Sequence, residues 1–115
     1  MSVLKTLKTR RYRETIDTDD LYYVLGNRRR RMILQYLLDH NSSQPITRRT
    51  LTEHLAEHVS RDSANVSIYQ QHLPVLAENG MVDYNSDRGL ASITERGVVA
   101  ITAHTYLQSF LNTNR

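Results

Sequence analysis

Cysteine is absent from this 115-residue chain, which excludes a disulfide framework and thiol chemistry. Apolar residues never run to the roughly 18 in succession that a membrane-spanning helix needs, so no membrane partner is expected. The first residues lack the apolar stretch of a signal peptide, and a cytoplasmic location is the default expectation. The four glycines form no phosphate-cradling loop. Neither a nucleophile elbow nor a Ser-His-Asp order is visible. No catalytic role and no cofactor are therefore expected. The length suits one domain with a single core. A charged fraction of 23%, mixed in sign, is too ordinary for global disorder.

The charge that is present is unevenly placed. The net charge is +3, yet residues 1–31 hold nine of the fifteen Lys and Arg and four of the twelve acids, leaving +5 there and −2 in the remainder. A polyanionic partner is expected to meet this basic end. Residues 1–16 read as a flexible basic arm carrying Lys5, Lys8, Arg10, Arg11 and Arg13. Such arms lie along phosphates or enter a minor groove; the plainer alternative is a solvated tail.

Residues 65–94 organise the rest. Their first half reads as an amphipathic helix with Val66, Tyr69, Leu73, Leu76 and Ala77 on one side, and with Ala64, Ser67, Gln71, Pro74, Val75 and Glu78 opposite. Ile68 and Gln70 sit at the edges of that outer side. Gly80 is placed to end the helix in a left-handed conformation. Pro74 removes a hydrogen bond and crowds the carbonyl of Gln70, which predicts a kink. Met81, Val82 and Tyr84 begin a strand, residues 85–89 supply turn chemistry, and residues 90–93 return, a hairpin with Arg88 at its tip.

Upstream, Asp17, Asp19 and Asp20 suit the start of a short helix over Leu21, Tyr22, Tyr23, Val24 and Leu25. Asn27 caps a helix over residues 28–39 with Ile33, Leu34, Leu37 and Leu38 inward. Arg28, Arg29, Arg30 and Arg31 crowd its first turn, where the dipole favours acids. Either phosphate contact or ion pairs to Glu78, Asp39 or the acids at 17–20 would favour them there. Pro45 and Ile46 suit a short third strand. Thr47 caps a helix over residues 48–59 with a stripe of Leu51, Leu55 and Val59. Residues 60–63 form a turn in which Asp62 or Ser63 caps the next helix. Helix, short turn, amphipathic helix is the helix-turn-helix pattern. A last helix, residues 95–112, has Val99, Ala103, Tyr106, Leu107 and Phe110 on one face, with Val98, Ile101 and Leu111 widening it. Gly97 is expected to weaken its first turns. Apolar residues on more than one side predict a homodimer through Val98, Ile101, Tyr106, Leu107, Phe110 and Leu111; the alternative is packing wholly on its own domain.

His54 and His58 fit H-x-x-E-H and would lie one turn apart, a workable pair of metal ligands. A third ligand and a substrate cleft are missing, so no metal is expected and these residues read as the polar side of a supporting helix.

The segments HLPVLAENGMVDYNSDRG (residues 72–89), LGNRRRRMILQYL (25–37) and PITRRTLTEHLAEH (45–58) resemble small winged-helix domain proteins abundant in halophilic archaea and their viruses. ITERG (93–97) resembles the strand-to-helix junction of many bacterial and archaeal winged-helix repressors. The resemblance spans about residues 19–97. It implies a winged-helix fold; with the arm and last helix read above, the expected architecture is mainly α with a small β-hairpin (α+β): a winged helix-turn-helix over residues 17–94, flanked by the basic arm and by a C-terminal dimerisation helix over residues 95–115. The resemblance also implies regulation of transcription by binding double-stranded DNA; a winged helix used only for protein–protein contact is the alternative. Two departures stand out. The chain is not strongly acidic, unlike most proteins of extreme halophiles, and its recognition helix lacks Lys and Arg within residues 62–79. Base contacts are therefore expected from Ser63, Asn65, Ser67, Gln70 and Gln71, with Ile68 against a thymine methyl. Backbone contacts are expected from Arg48, Arg49, Arg88 and the arm.

Overall fold

Each helix of the N-terminal half starts where a side chain can cap it. The Asp17 carboxylate accepts from the N–H groups of Asp19 and Asp20 at 2.8 and 3.2 Å, and α1 runs Thr18–Leu25. Asn27 Oδ1 accepts from the N–H groups of Arg29 and Arg30, opening α2 (Arg28–Asp39). Thr47 Oγ1 accepts from the N–H of Thr50, opening α3 (Arg48–Leu55). The next helix, α4 (Arg61–Ser67), is capped by Ser60, whose hydroxyl accepts from the N–H of Ser63. That corrects the expected cap at Asp62 or Ser63: both already lie inside the helix. The computed structural model describes residues 16–40, 44–56 and 60–113. The arm residues Lys5, Lys8, Arg10, Arg11 and Arg13, and also His58 and Val59, lie outside them.

After α4 the backbone widens into a π-helical turn, Ile68–His72, and then tightens into α5 (Leu73–Glu78). The N–H of Leu73 bonds the carbonyl of Ile68, five residues back. Pro74, in the first turn of α5, has no N–H to return to Gln70 and its ring crowds that carbonyl. The wide turn takes the place of the expected kink. It also shifts the helical register. The inward stripe is Ala64, Ile68, His72, Leu73 and Leu76, because the wide turn absorbs one extra residue. Ala64 and Ile68, expected outside, are buried as a result.

Gly80 ends α5 with φ of 73°. Its N–H bonds the carbonyl of Ala77, while the N–H of Met81 bonds that of Leu76, so two carbonyls at the helix end are satisfied and Met81 is turned into the core beside Leu76.

The sheet has the order β1-β3-β2 and is antiparallel throughout. Strand β1 is Ile46–Thr47, β2 Val82–Asn85 and β3 Leu90–Ile93. Ile46 pairs with Ala91 and Tyr84 with Ala91 on the other side. The chain then enters α6 (Glu95–Thr113), capped by Thr94, whose Oγ1 accepts from the N–H of Gly97. A mainly helical chain with one small antiparallel sheet is the α+β class expected.

One core joins these parts: Val24, Ile33, Leu34, Leu37, Leu51, Leu55, Ile68, Leu73, Leu76, Met81, Ala100 and Ile101 are all buried in it. Only the first turns of α6 contribute, through Gly97, Ala100 and Ile101. A Cβ at Gly97 would stand 2.2 Å from the Met81 carbonyl oxygen. Glycine there lets α6 press on the strand entry, rather than merely weakening a helix.

Two of the four arginines of α2, Arg30 and Arg31, have a third explanation, different from both expected ones. Arg30 Nε donates to the carbonyl of Val24 and its Nη2 to that of Tyr23, at 2.9 and 2.7 Å. Arg31 Nη1 donates to Leu25 O at 2.7 Å. The guanidinium groups thus satisfy the last three carbonyls of α1, at the negative end of its dipole. Arg30 is buried and its guanidinium lies 4.8 Å from the centre of the Tyr23 ring. Burial lowers the pKa of Arg30 from its usual value, partly opposed by Tyr23.

Candidate nucleic-acid interface

The β1–β3 pairing folds the hairpin loop back onto the start of α3. Thr47 stands opposite Leu90, and the Arg48 N–H donates to Gly89 O at 2.7 Å. The loop itself is shaped by Asn85 Oδ1, which accepts from the N–H of Arg88, and by Gly89 at φ of 64°. Around this junction a cleft of about 350 Å3 brings together Thr47, Arg48 and Arg49 of the α3 start, Asp62 and Asn65 of α4, and Arg88 of the loop. Arg48 is steadied there by an Nη1 hydrogen bond to the Tyr84 hydroxyl at 3.2 Å. Among the described residues Arg49 makes only an exposed pair with Glu53, at 3.5 Å, and such pairs hold a side chain weakly.

Of the residues expected to read bases, Ser63, Asn65, Gln70 and Gln71 are exposed. Ile68 is 0% exposed, so it meets core atoms and not a thymine methyl: the π-helical turn has carried it inward. Ser67 is half-buried and already engaged. Its hydroxyl donates to Ala64 O and accepts from Arg29 Nη1 at 3.0 Å.

Gln71 borders a second cleft, about 310 Å3, together with Asn27, Arg28, Arg29, Met32, Leu55 and His72. His72 was not among the residues expected on the inward face. It is 2% exposed, and among the described residues its Nδ1 has no hydrogen-bond partner. Burial first, then the charges of Arg30 and Arg29, push its pKa down to about 4, so the ring is neutral at pH 7. A histidine in the middle of an otherwise inward helical stripe was the only sequence signal available.

The pattern of a family described as a domain of unknown function, DUF7344, matches residues 22–92. The chain belongs to the DUF7344 family. No curated protein and no solved structure matches it. The DUF7344 match runs from the second half of α1 through α5 and most of the sheet, and it stops before α6. Both clefts lie inside the DUF7344 span.

The residues expected at a dimer interface divide. Ile101 is 2% exposed and belongs to the domain's own core, which corrects its assignment to the interface; Val98 is half-buried. Tyr106, Leu107, Phe110 and Leu111 are exposed, Tyr106 by 78%. The expected apolar face through Val99 and Ala103 is not the inward one, since Gly97, Ala100 and Ile101 face the core. Of the H-x-x-E-H pattern, His54 packs against the Tyr36 ring with centroids 4.6 Å apart, and Tyr36 stacks on His40 on another contact.

Proposed function

We propose that this DUF7344 protein is a sequence-specific regulator of transcription that binds double-stranded DNA as a homodimer, through a winged helix-turn-helix. The observation that carries this reading is the first cleft. Arg48, Arg49 and Arg88 come from a helix start and a hairpin loop to border it beside Asn65. Cationic groups from two elements stand around the Asn65 amide, with the Asp62 carboxylate among them, and suit a split of labour: guanidinium groups fix the backbone, amides read base edges. The element order, with a short strand paired to the far strand of a hairpin, supports the winged form. In this reading α3 is the supporting helix, α4 with the π-helical turn is the recognition helix, and the β2–β3 hairpin is the wing. Gln70 and Gln71 read adenines; Arg49 and Arg88 touch phosphates. The exposed end of α6 supports the dimer.

Selection from random duplex DNA, titrated against salt, tests the proposal. Wild type is expected to enrich a two-fold repeated site. The Gln70→Ala/Gln71→Ala variant should lose about 1–3 kcal/mol of discrimination for each bidentate contact removed. Arg88→Ala should weaken all sequences alike and reduce the salt slope by about one. Absence of duplex binding at low salt, where the phosphate contribution is strongest, would end the DNA reading. The uncharged surface at Asn65, Gln70 and Gln71 favours one second reading, a winged helix that contacts another protein.

A further inference from the structure

The second cleft has features that the DNA reading does not use. Four consecutive arginines stand in the first turn of α2, where the helix dipole is already positive. Among the described residues none of them has a carboxylate partner. Arg30 and Arg31 are committed to the α1 carbonyls. Arg28 is exposed, and Arg29 commits one of its N–H groups to Ser67 out of the five a guanidinium carries. Both border the cleft. On the same cleft is His72, 2% exposed, with an Nδ1 that no group among the described residues satisfies. Leaving a buried polar atom unpaired costs free energy, and so does the like-charge repulsion around it. An anion in the cleft offsets the repulsion, and a turn of the His72 ring would bring Nδ1, itself without accessible surface, to the same anion.

We propose that the cleft between the start of α2 and the π-helical turn binds a phosphate-type oxyanion, held by Arg28 and Arg29 against His72. A phosphate oxygen accepts in the fork geometry that Arg28 and Arg29 offer, and the α2 dipole adds to the attraction. The source of the phosphate is either a small phosphorylated molecule or a DNA backbone. Because Gln71 belongs to the recognition helix and Arg29 holds Ser67 of that helix, occupancy would be felt at the base-reading surface; that consequence rests on the proposed function, whereas binding itself does not.

His72 supplies a readout. Arg30 and Arg29 are the charges that depress its basicity, and a bound phosphate, a monoanion at the pH where His72 titrates, opposes them. Inorganic phosphate should therefore be titrated into the whole protein at constant ionic strength, balanced with chloride, while the amides of residues 28–30 and the His72 imidazole are followed by NMR. Saturable shifts confined to these groups, with the His72 pKa rising from about 4, are expected. Arg28→Gln alters an exposed residue and should leave the spectrum folded while weakening phosphate about tenfold, with partial recovery in Arg28→Lys. Shifts that fail to saturate, that chloride reproduces, or that survive unchanged in Arg28→Gln overturn the site. A duplex added in a second arm assigns the source. Displacement of phosphate with the same shifts identifies a backbone phosphate; phosphate retained beside bound DNA, or bound by a protein that takes no DNA, identifies a free phosphorylated ligand. The last outcome would sink the DNA reading and leave the cleft standing.

Discussion

At the scale of single residues, three positions behave differently from what their type suggests. Gly97 is needed for a close approach: alanine would drive its methyl toward the Met81 carbonyl and the Ile93 side chain. Backbone cannot yield as a flexible side chain does, so Gly97→Ala should cost about 3 kcal/mol or more, read as a lower urea midpoint; an unchanged midpoint would show that α6 can slide away. His72 gives a pH dependence. Its pKa is about 4 when folded against 6.5 for the free side chain. The unfolded chain therefore takes up a proton first as pH falls, and stability present above about pH 6.5 is lost progressively toward pH 4, by about 3 kcal/mol in all. His104, lowered by burial and by Arg31, acts with the same sign. Urea midpoints at pH 7 and pH 4.5 check this: His72→Gln should flatten most of the difference seen in wild type. Ile101 is the third. Ile101→Ala is expected to lower monomer stability by about 2–4 kcal/mol, because its side chain fills the core.

At the scale of elements, local chemistry and distant packing divide the work. Asp17, Asn27 and Thr47 cap their helices as the sequence predicts, since a cap joins a side chain to N–H groups only two or three residues on. The end of α1 is handled otherwise. Its last carbonyls are met by arginines from α2, and α1 is too short to stand alone. Removing the Arg30 donors in Arg30→Met should leave the carbonyls of Tyr23 and Val24 unsatisfied and destabilise by about 2–3 kcal/mol. Hydrogen exchange locates the effect: protection should fall across α1 first, and unchanged α1 protection would refute the capping role. The π-helical turn belongs to this scale too. Neither the wheel over residues 65–78 nor the proline alone indicates which side of the helix is buried. Core packing decides it, by taking Ile68 and Leu73 inward together.

At the scale of the whole molecule, α6 extends beyond the domain that supports its first turns. Tyr106, Leu107 and Leu111 stand exposed along it, beyond the reach of the core residues Ala100 and Ile101. An apolar helix end of this kind is the surface on which the proposed homodimer rests. Tyr106→Glu/Leu107→Glu should keep the monomer's helical signal while weakening self-association by about thirtyfold or more, measured by sedimentation equilibrium. Wild type sedimenting as a monomer at every concentration would remove the dimer. The uneven charge has a partial structural account at this scale. Arg30 and Arg31 are used inside the fold, which leaves Arg28, Arg29, Arg48, Arg49 and Arg88 to border the two clefts.

Local signals in the sequence place the starts of α1, α2 and α3, the stop of α5 at Gly80 and the hairpin turn, while the start of α4 was expected two or three residues too late. The sequence by itself also determined that the fold is mainly helical with a small sheet. Those features arise from interactions between residues a few positions apart, so their signals are contiguous. The gathering of Arg48, Arg49 and Arg88 was legible in part, since each was marked as a backbone contact; that Asn65 stands among them depends on strand pairing. Only the tertiary structure decided that Ile68 is inside, that Ile101 belongs to the core, that Gly97 meets the Met81 carbonyl and that Arg30 caps another helix. Each of these joins segments far apart in the chain, and which side chain fills a given space depends on every element packed around it.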